Sequence, residues 1–298
     1  MTYRGFGIKI ARGVQAVLNI IESRCDRGQS HVKNVHNTGL PHNNQEDKYP
    51  TDLASNPLMI KAHNLAMSNG WIVQEYVQYP LLVSGRKFDI RCYVLLMNSV
   101  KDGNHFEAYW FKGGYIRTSG KKHSLSKLND RETRLTNDGV QKHSKFYGNH
   151  EAGNKLSLTQ WQENIEANYP DAPQDVVESV ILPKIKEIAK ISLEAALYKG
   201  LVSTKIRRSF ELVGYDFMID SNFNPTLVEI NVNPCLEFVC PLLEDLITKL
   251  ISNMYSAVID RWFQPPSEVS RTKYAQQTIE KIEAEPKLFE ILLKKTVK

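Results

Sequence analysis

Residues 210–233 read FELVGYDFMIDSNFNPTLVEINVN, and this stretch decides the fold. Two runs rich in β-branched and aromatic residues flank a Ser-Asn-Phe-Asn-Pro turn, the pattern of a β-hairpin. Asp216 interrupts an otherwise apolar strand of Val213, Tyr215, Phe217, Met218 and Ile219. On the returning strand Glu229 and Asn231 stand two apart, so strand periodicity puts both on one face. A hairpin can bring Asp216 beside them. Three converging oxygen donors suit Mg²⁺, a hard cation that also keeps waters and phosphates. A carboxylate pair buried without a cation would suffer desolvation and mutual repulsion. The other reading is that the acids line a solvent-facing side of the sheet, and spacing alone leaves the two level.

Working outward, residues 85–91 read GRKFDIR. Lys87, Asp89 and Arg91 share one strand face, and Phe88 and Ile90 share the other. This is either a salt-bridged exposed face, worth little in stability, or a phosphate cradle. In a cradle, lysine acts as a point charge and arginine as a bidentate fork. Arg117 (YIRTS) is a third cation, and Asn137 (LTNDG) a carboxamide in a polar loop. Arg4-Gly5-Phe6-Gly7 is glycine-rich but lacks the full phosphate-loop patterns. Nucleophilic catalysis is not expected. There is no GxSxG elbow, Cys92 alternates onto the apolar face, and Cys235 reads as structural.

Composition sets the outer limits. The 298 residues suit one large domain or two moderate ones, and 42% hydrophobic content excludes a wholly disordered chain. A net charge of +5 is too weak for a nucleic-acid binder but suits an acidic partner. Four cysteines without a CxxC point to reduced thiols. No apolar run approaches the ~18 residues of a membrane span, and the N-terminus lacks a signal-peptide layout. No nucleic-acid or membrane partner is therefore expected.

Ile8–Ile10 is a strand candidate, followed by an amphipathic helix over Val14–Glu22 with Val14, Val17, Leu18 and Ile21 on one face. Residues 26–57 are poor in large apolar side chains and read as a polar loop insertion. Its His31, His36 and His42 match no metal-ligand spacing. Residues 71–77, 88–97 and a pair split at Gly113-Gly114 read as four antiparallel strands. Residues 119–155 are long for a plain connection and read as a functional loop. Ser157 and Gln160 form a capping box. A long helix over 173–199 is expected to kink or divide at Pro183 and to end at Gly200. A helix over 241–263 and a charged helical tail over 264–298 complete the reading.

In order along the chain, RGFGIKI, WIVQEYVQYPLLVSGRKFDIRCYVLL, YIRTS, RLTNDGVQKHS, GNKLSLTQWQ and FELVGYDFMIDSNFNPTLVEINVNPCLE resemble the tubulin–tyrosine ligase-like family of ATP-grasp ligases, in its polyglutamylase and glycylase branch. The resemblance implies an α+β ATP-grasp fold, with mixed, mostly antiparallel sheets flanked by helices. It places a ligase region at 1–263, incomplete on its N-terminal side because an upstream strand carrying a Lys-Pro pair is missing. Gln74, Glu75, Tyr76 and Val77 are implied to lie along the adenine of ATP, with Lys87 as a phosphate contact. Arg91 and Arg117 are similar to arginines near the γ-phosphate, Asp89 to an active-site carboxylate. Thr136 and Asn137 are placed in the loop near the terminal phosphate. Asp216, Glu229 and Asn231 resemble Mg²⁺ ligands. The implied activity is ATP-dependent ligation of a free amino acid, glutamate or glycine, to a tubulin carboxylate through an acyl phosphate. The implied setting is cytoplasmic, on microtubules or in cilia. The rival readings are a non-catalytic tubulin- or nucleotide-binding module and a ligase with a non-tubulin acceptor.

Overall fold

The computed structural model describes residues 9–11, 14–25, 34–37, 61, 72–98, 105–126, 130–200, 209–260, 262 and 288–296. The chain divides into two units, one of Met1–Pro80 and Ser119–Tyr147, the other of Leu81–Thr118 and Gly148–Lys298. In the smaller unit, β1 (Lys9–Ala11) leads to α1 (Val14–Cys25), then β2 (Asn34–Asn37) and β3 (Ile72–Glu75). The expected helix forms, and Val17, Leu18 and Ile21 are buried, as their 3.6-residue spacing requires.

Two expectations for this unit are corrected. Strands β1, β2 and β3 make a parallel sheet in that order, so the strand at 72–75 pairs with β2 and not antiparallel with the strand that follows it. Alternation in a sequence assigns a strand its faces but not its partner. Within the 26–57 stretch, Asn34–Asn37 is a strand rather than loop, with His36 opposite Ile10 and Gln74. Pairing on both sides overrides the low strand propensity of its asparagines. The remainder of 26–57, with His31 and His42, lies outside the described residues.

The polar 119–147 stretch contains α2 (Arg131–Arg134) and α3 (Asp138–Gln141). Buried Gln141 ties it together. Its Oε1 accepts from Gly120 N (2.8 Å), and its Nε2 donates to the carbonyls of Leu135 (2.5 Å) and Glu132 (3.0 Å). A buried amide with donors and acceptors both satisfied fixes a loop at little cost.

The larger unit is built on β4 (Leu82–Val83), β5 (Arg86–Asn98), β6 (His105–Lys122, whose last four residues belong to the smaller unit), β7 (Lys155–Ser157), β8 (Phe210–Ile219), β9 (Pro225–Asn231) and β10 (Phe289–Thr296). The order is β10-β6-β5-β8-β9, with β4 on β5 and β7 on β6. The β10/β6, β4/β5, β6/β7, β5/β8 and β8/β9 pairings are antiparallel. The helices are α4 (Leu158–Asn168), α5 (Leu182–Tyr198) and α6 (Pro241–Tyr255). One sheet face presents Phe88, Ile90, Cys92, Val94, Ile116, Val213, Tyr215 and Phe217 to Trp161 and Ile165 of α4 and to Ile185, Ala189 and Leu193 of α5. The Phe88 and Trp161 rings meet edge-on at 5.3 Å. The other face puts Tyr93, Phe111 and Tyr115 against Leu243, Ile247 and Leu250 of α6. Each such side chain contributes about 1.5–3 kcal/mol on burial.

The hairpin forms as its pattern predicts, with Asp216 opposite Glu229 and Gly214 opposite Asn231. A register shift follows between Asp216 and Phe217, the kind of bulge that re-aims a side chain beside a site. The Ser157–Gln160 capping box opens α4. The long helix divides near Pro183: a π-helical turn spans Val177–Ile181, and α5 takes the proline into its first turn, where its missing N–H costs nothing. Gly200 ends it with φ 67°.

Two further expectations fail here. Gly113 and Gly114 do not split a hairpin but lie inside the single strand β6. A β-carbon on Gly114 would stand 2.9 Å from the Arg91 carbonyl, so glycine there permits close strand approach. The tail expected to be helical instead supplies β10 at 289–296, antiparallel to β6 with Phe289 opposite Phe111 and their rings 5.3 Å apart. The sheet edge offered backbone groups to pair, which helical periodicity does not reveal. Residues 263–287 lie outside the described residues. Among the described residues no helix is long and apolar enough to cross a membrane.

Candidate active site

Strand β5 divides its second face into two parts. Tyr93, Leu95 and Met97 pack under α6 and its continuation, whereas Lys87, Asp89 and Arg91 form the polar part. These three are only 6%, 7% and 5% exposed, which removes the reading of a solvated salt-bridged strand face. Burying such charges is costly unless each finds opposite charge and hydrogen bonds.

The sheet order supplies both. Arg91 stands directly opposite Asp216 across the β5/β8 pairing. Its Nε donates to Asp216 Oδ1 (2.5 Å) and its Nη2 to Oδ2 (3.0 Å), a bidentate fork. From β6, Arg117 bridges two acids, with Nε to Asp89 Oδ1 at 2.5 Å and Nη2 to Asp216 Oδ2 at 2.7 Å. From β9, Asn231 Nδ2 reaches Asp216 Oδ2 (3.3 Å) and Glu229 Oε1 (3.2 Å). Asp216, Glu229 and Asn231 are thus gathered, on the same side as Asp89, Arg91 and Arg117. Asp216 is buried, while Glu229 and Asn231 are half-buried.

The electrostatics of the two acids diverge. Desolvation is the largest single influence on Asp216 and pushes its pKa up, but Arg117 and Arg91 together outweigh it and hold the carboxyl well below its ordinary range. Glu229 is pushed up, first by desolvation and then by the Asp216 charge beside it. For both arginines burial works against the cation, yet Asp216 keeps them firmly protonated. Cys92, on the apolar face, is pushed well above a thiol's ordinary value by burial, so it is no nucleophile.

The remaining candidates belong to the smaller unit. Glu75 is exposed, Gln74 and Val77 are half-buried, and Tyr76 is buried with its hydroxyl pushed up to about 12 by desolvation, against the lowering effect of Arg134. Thr136 is buried. Asn137 caps α3 through its backbone, its carbonyl accepting from Val140 (2.9 Å) and Gln141 (3.0 Å). Arg4–Gly7 lies outside the described residues.

Two functional-looking residues escaped sequence reasoning. Arg134, wholly buried in α2, lies 5.5 Å over the Tyr76 ring. A cation followed at once by Leu-Thr was the signal available. Lys155 is buried on β7 opposite Arg117. Its only signal was a basic residue two positions before the N-cap Ser157 of a helix.

Among the described residues no group of three or more His, Cys, Asp or Glu side chains is arranged to hold a metal. The donor set at hand is two carboxylates and one carboxamide, all oxygen chemistry, and it fits Mg²⁺ rather than a softer ion. The Asp216 charge that helps push Glu229 up is the kind of repulsion a cation between the two acids relieves.

The tubulin-tyrosine ligase family model matches residues 5–269. Tubulin glycylase 3B of Tetrahymena thermophila is 32% identical over 191 residues, covering 64% of this chain and 15% of that protein. Protein monoglycylase TTLL8 of Homo sapiens is 32% identical over 203 residues, 67% of this chain and 23% of that protein. Probable tubulin polyglutamylase TTLL9 of Bos taurus is 29% identical over 170 residues, 56% of this chain and 33% of that protein. The chain thus spans at most a third of the length of these relatives. Its mostly antiparallel sheet flanked by helices is consistent with the ATP-grasp architecture, and the match over 5–269 settles the assignment: the chain belongs to the tubulin-tyrosine ligase family.

Proposed function

We propose that this chain carries the catalytic region of an ATP-dependent ligase that joins an amino acid, glutamate or glycine, to a carboxylate of tubulin through an acyl phosphate. The observation that carries the reading is the buried cluster in which Arg91 and Arg117 converge on Asp216 beside Glu229 and Asn231. Two anions, the acceptor carboxylate and the γ-phosphate, must approach each other in such a reaction. Arg91, Arg117 and Lys87 offset that repulsion and stabilise the charge that develops in transfer. Asp216, Glu229 and Asn231 would hold Mg²⁺, which neutralises phosphate charge when bound. Asp89 orients Arg117 by accepting from its Nε. For the smaller unit, the family resemblance is what supports the reading that Gln74, Glu75, Tyr76 and Val77 lie along the adenine and that Thr136 and Asn137 lie near the terminal phosphate. No protein nucleophile is required, in keeping with the buried, protonated Cys92.

Glycylase and polyglutamylase relatives support tubulin as the acceptor and glycine or glutamate as the added group. A net charge of +5 favours encounter with acidic tubulin tails, on cytoplasmic or ciliary microtubules. The test incubates the full chain with MgATP, tubulin and glutamate or glycine, following ADP release and the mass of the tubulin tails. The expected result is ADP release with a mass gain of the added residue, and loss of both in Glu229→Gln with an unchanged circular dichroism spectrum. Wild-type turnover in that variant removes Glu229 from the mechanism. Nucleotide binding without turnover in the wild type overturns the ligase reading in favour of a binding module. Turnover with another protein but not tubulin overturns the acceptor.

A further inference from the structure

Tyr93 stands two residues after Arg91 on β5, so the two share a face. On β6, Tyr115 stands two residues before Arg117 in the same way. Both rings belong to the apolar layer under α6, with Phe111, Leu243, Ile247 and Leu250. Each phenol thus joins two environments, with its ring in the apolar layer and its hydroxyl at the edge of the charge cluster. The Tyr93 hydroxyl faces the Arg91 guanidinium and the Tyr115 hydroxyl. Tyr115 in turn lies close enough to Arg91 and Arg117 to favour both cations.

Tyr93 is wholly buried, and its hydroxyl makes no well-aligned hydrogen bond. Burial is the largest influence on that hydroxyl and pushes its pKa up, so it stays a neutral dipole. A buried hydroxyl short of a full bond costs stability, and phenylalanine would fill the same space under α6 without that cost. Packing therefore explains the ring and not the oxygen. What the oxygen meets is Arg91. Asp216 already holds the arginine's Nε and Nη2, and the arginine stem lies against Gly214, the residue directly opposite Tyr93 across the β5/β8 pairing. A further carboxylate at this point would orient the guanidinium but cancel its charge. A phenol oxygen accepts from an N–H and leaves the positive charge for a ligand.

We propose that Tyr93 is a positioning residue of the reaction: its hydroxyl, paired with Tyr115, sets the Arg91 guanidinium for the charge that develops on the transferring phosphoryl group. This inference rests on the ligase reading above.

The test compares the full chain as wild type, Tyr93→Phe, Arg91→Lys and the double variant. It reads thermal melts, ADP affinity by calorimetry, steady-state ADP release with MgATP, tubulin and glutamate or glycine, and the Arg91 Nε–H resonance by NMR. Tyr93→Phe is expected to melt at or above the wild-type temperature and to bind ADP as wild type does. Its turnover should fall about 10- to 100-fold, the size of effect that a displaced supporting group produces, with the loss in kcat and not in KM. In the Arg91→Lys background the same change should cost little more, because Tyr93 acts through the arginine. The Arg91 resonance should shift in Tyr93→Phe, and it carries the test if Arg91→Lys does not fold. Wild-type turnover in Tyr93→Phe overturns the proposal alone, as does a full further loss in the Arg91→Lys background. A Tyr93→Phe protein that melts lower and loses turnover and ADP affinity together makes Tyr93 a packing residue and also overturns it. A wild type that releases no ADP overturns the ligase reading. The Arg91 resonance then decides the arginine's positioning by itself, and an unchanged signal in Tyr93→Phe overturns that as well.

Discussion

Gly214 lies against the side chain of Arg91: a β-carbon on Gly214 would stand 3.3 Å from Arg91 Cδ and 3.4 Å from Nε. The same β-carbon would stand 2.9 Å from Cβ of Pro234. The glycine therefore gives the arginine stem its bed across the strand, and the fork on Asp216 depends on it.

Gly214→Ala is expected to shift Arg91 and Pro234 and to cost about 1–3 kcal/mol, the ordinary cost of overpacking. Urea unfolding measures it. Because the displaced side chain is a proposed γ-phosphate contact, nucleotide affinity should fall in the same variant. A Gly214→Ala protein of wild-type stability and affinity would mean the close contact is absorbed without moving the arginine.

Glu229 makes a prediction in which stability and activity move in opposite directions. Its folded pKa is raised, by desolvation and then by Asp216, with Asn231 and Arg117 acting in the lowering sense. A raised acid adds stability below its unfolded value of about 4.3, and that contribution is lost as pH rises through the folded value. At pH 7 the ionised carboxylate is therefore a burden on the free chain. Glu229→Gln is expected to melt higher than wild type at pH 7, with the gap closing toward pH 4, while ligase turnover is lost. Thermal melts across this range read it directly. A variant that melts lower at pH 7 would show that Glu229 is held by contacts favouring its charge.

The hairpin's polar trio was legible because a β-hairpin is local: Asp216, Glu229 and Asn231 fall within sixteen residues, and a short turn sets their register. Lys87, Asp89 and Arg91 were legible as one face of one strand for the same reason. The Arg117–Asp89 and Arg117–Asp216 pairs were not, because they depend on β6, β5 and β8 lying side by side. That order is fixed by core packing across long stretches of chain, and no local pattern carries it. Gly113-Gly114 looked like a turn because glycine permits both a turn and a close strand approach. The final strand looked helical because its charged residues alternate imperfectly, with a register shift between Ile291 and Leu293. Lys155 was hidden for a different reason. Its placement comes from two left-handed residues and a partly buried Arg86–Glu151 pair distant in sequence, none of which leaves a periodic trace.

Arg117 carries the sharpest prediction about the buried cluster. It satisfies Asp89 and shares Asp216 with Arg91, all four groups being buried. Removing one partner of a buried charge cluster strands the others, at about 3–5 kcal/mol. Arg117→Met is expected to lose that much stability at pH 7. Adding Asp216→Asn should restore part of it, since the stranded charge is then gone. The acid side of the profile gives an independent check. The depressed pKa of Asp216 means its stabilising contribution is full above its unfolded value of about 3.9 and is lost as pH falls below that toward the folded value. With Arg117 absent the depression shrinks, so the fall in stability below pH 4 should flatten relative to wild type. Urea midpoints for the wild type, the two single variants and the double variant between pH 2.5 and pH 7 read both effects. Additive losses in the double variant, together with an unchanged acid limb, would show that Arg117 and Asp216 are not energetically coupled, whatever their separation.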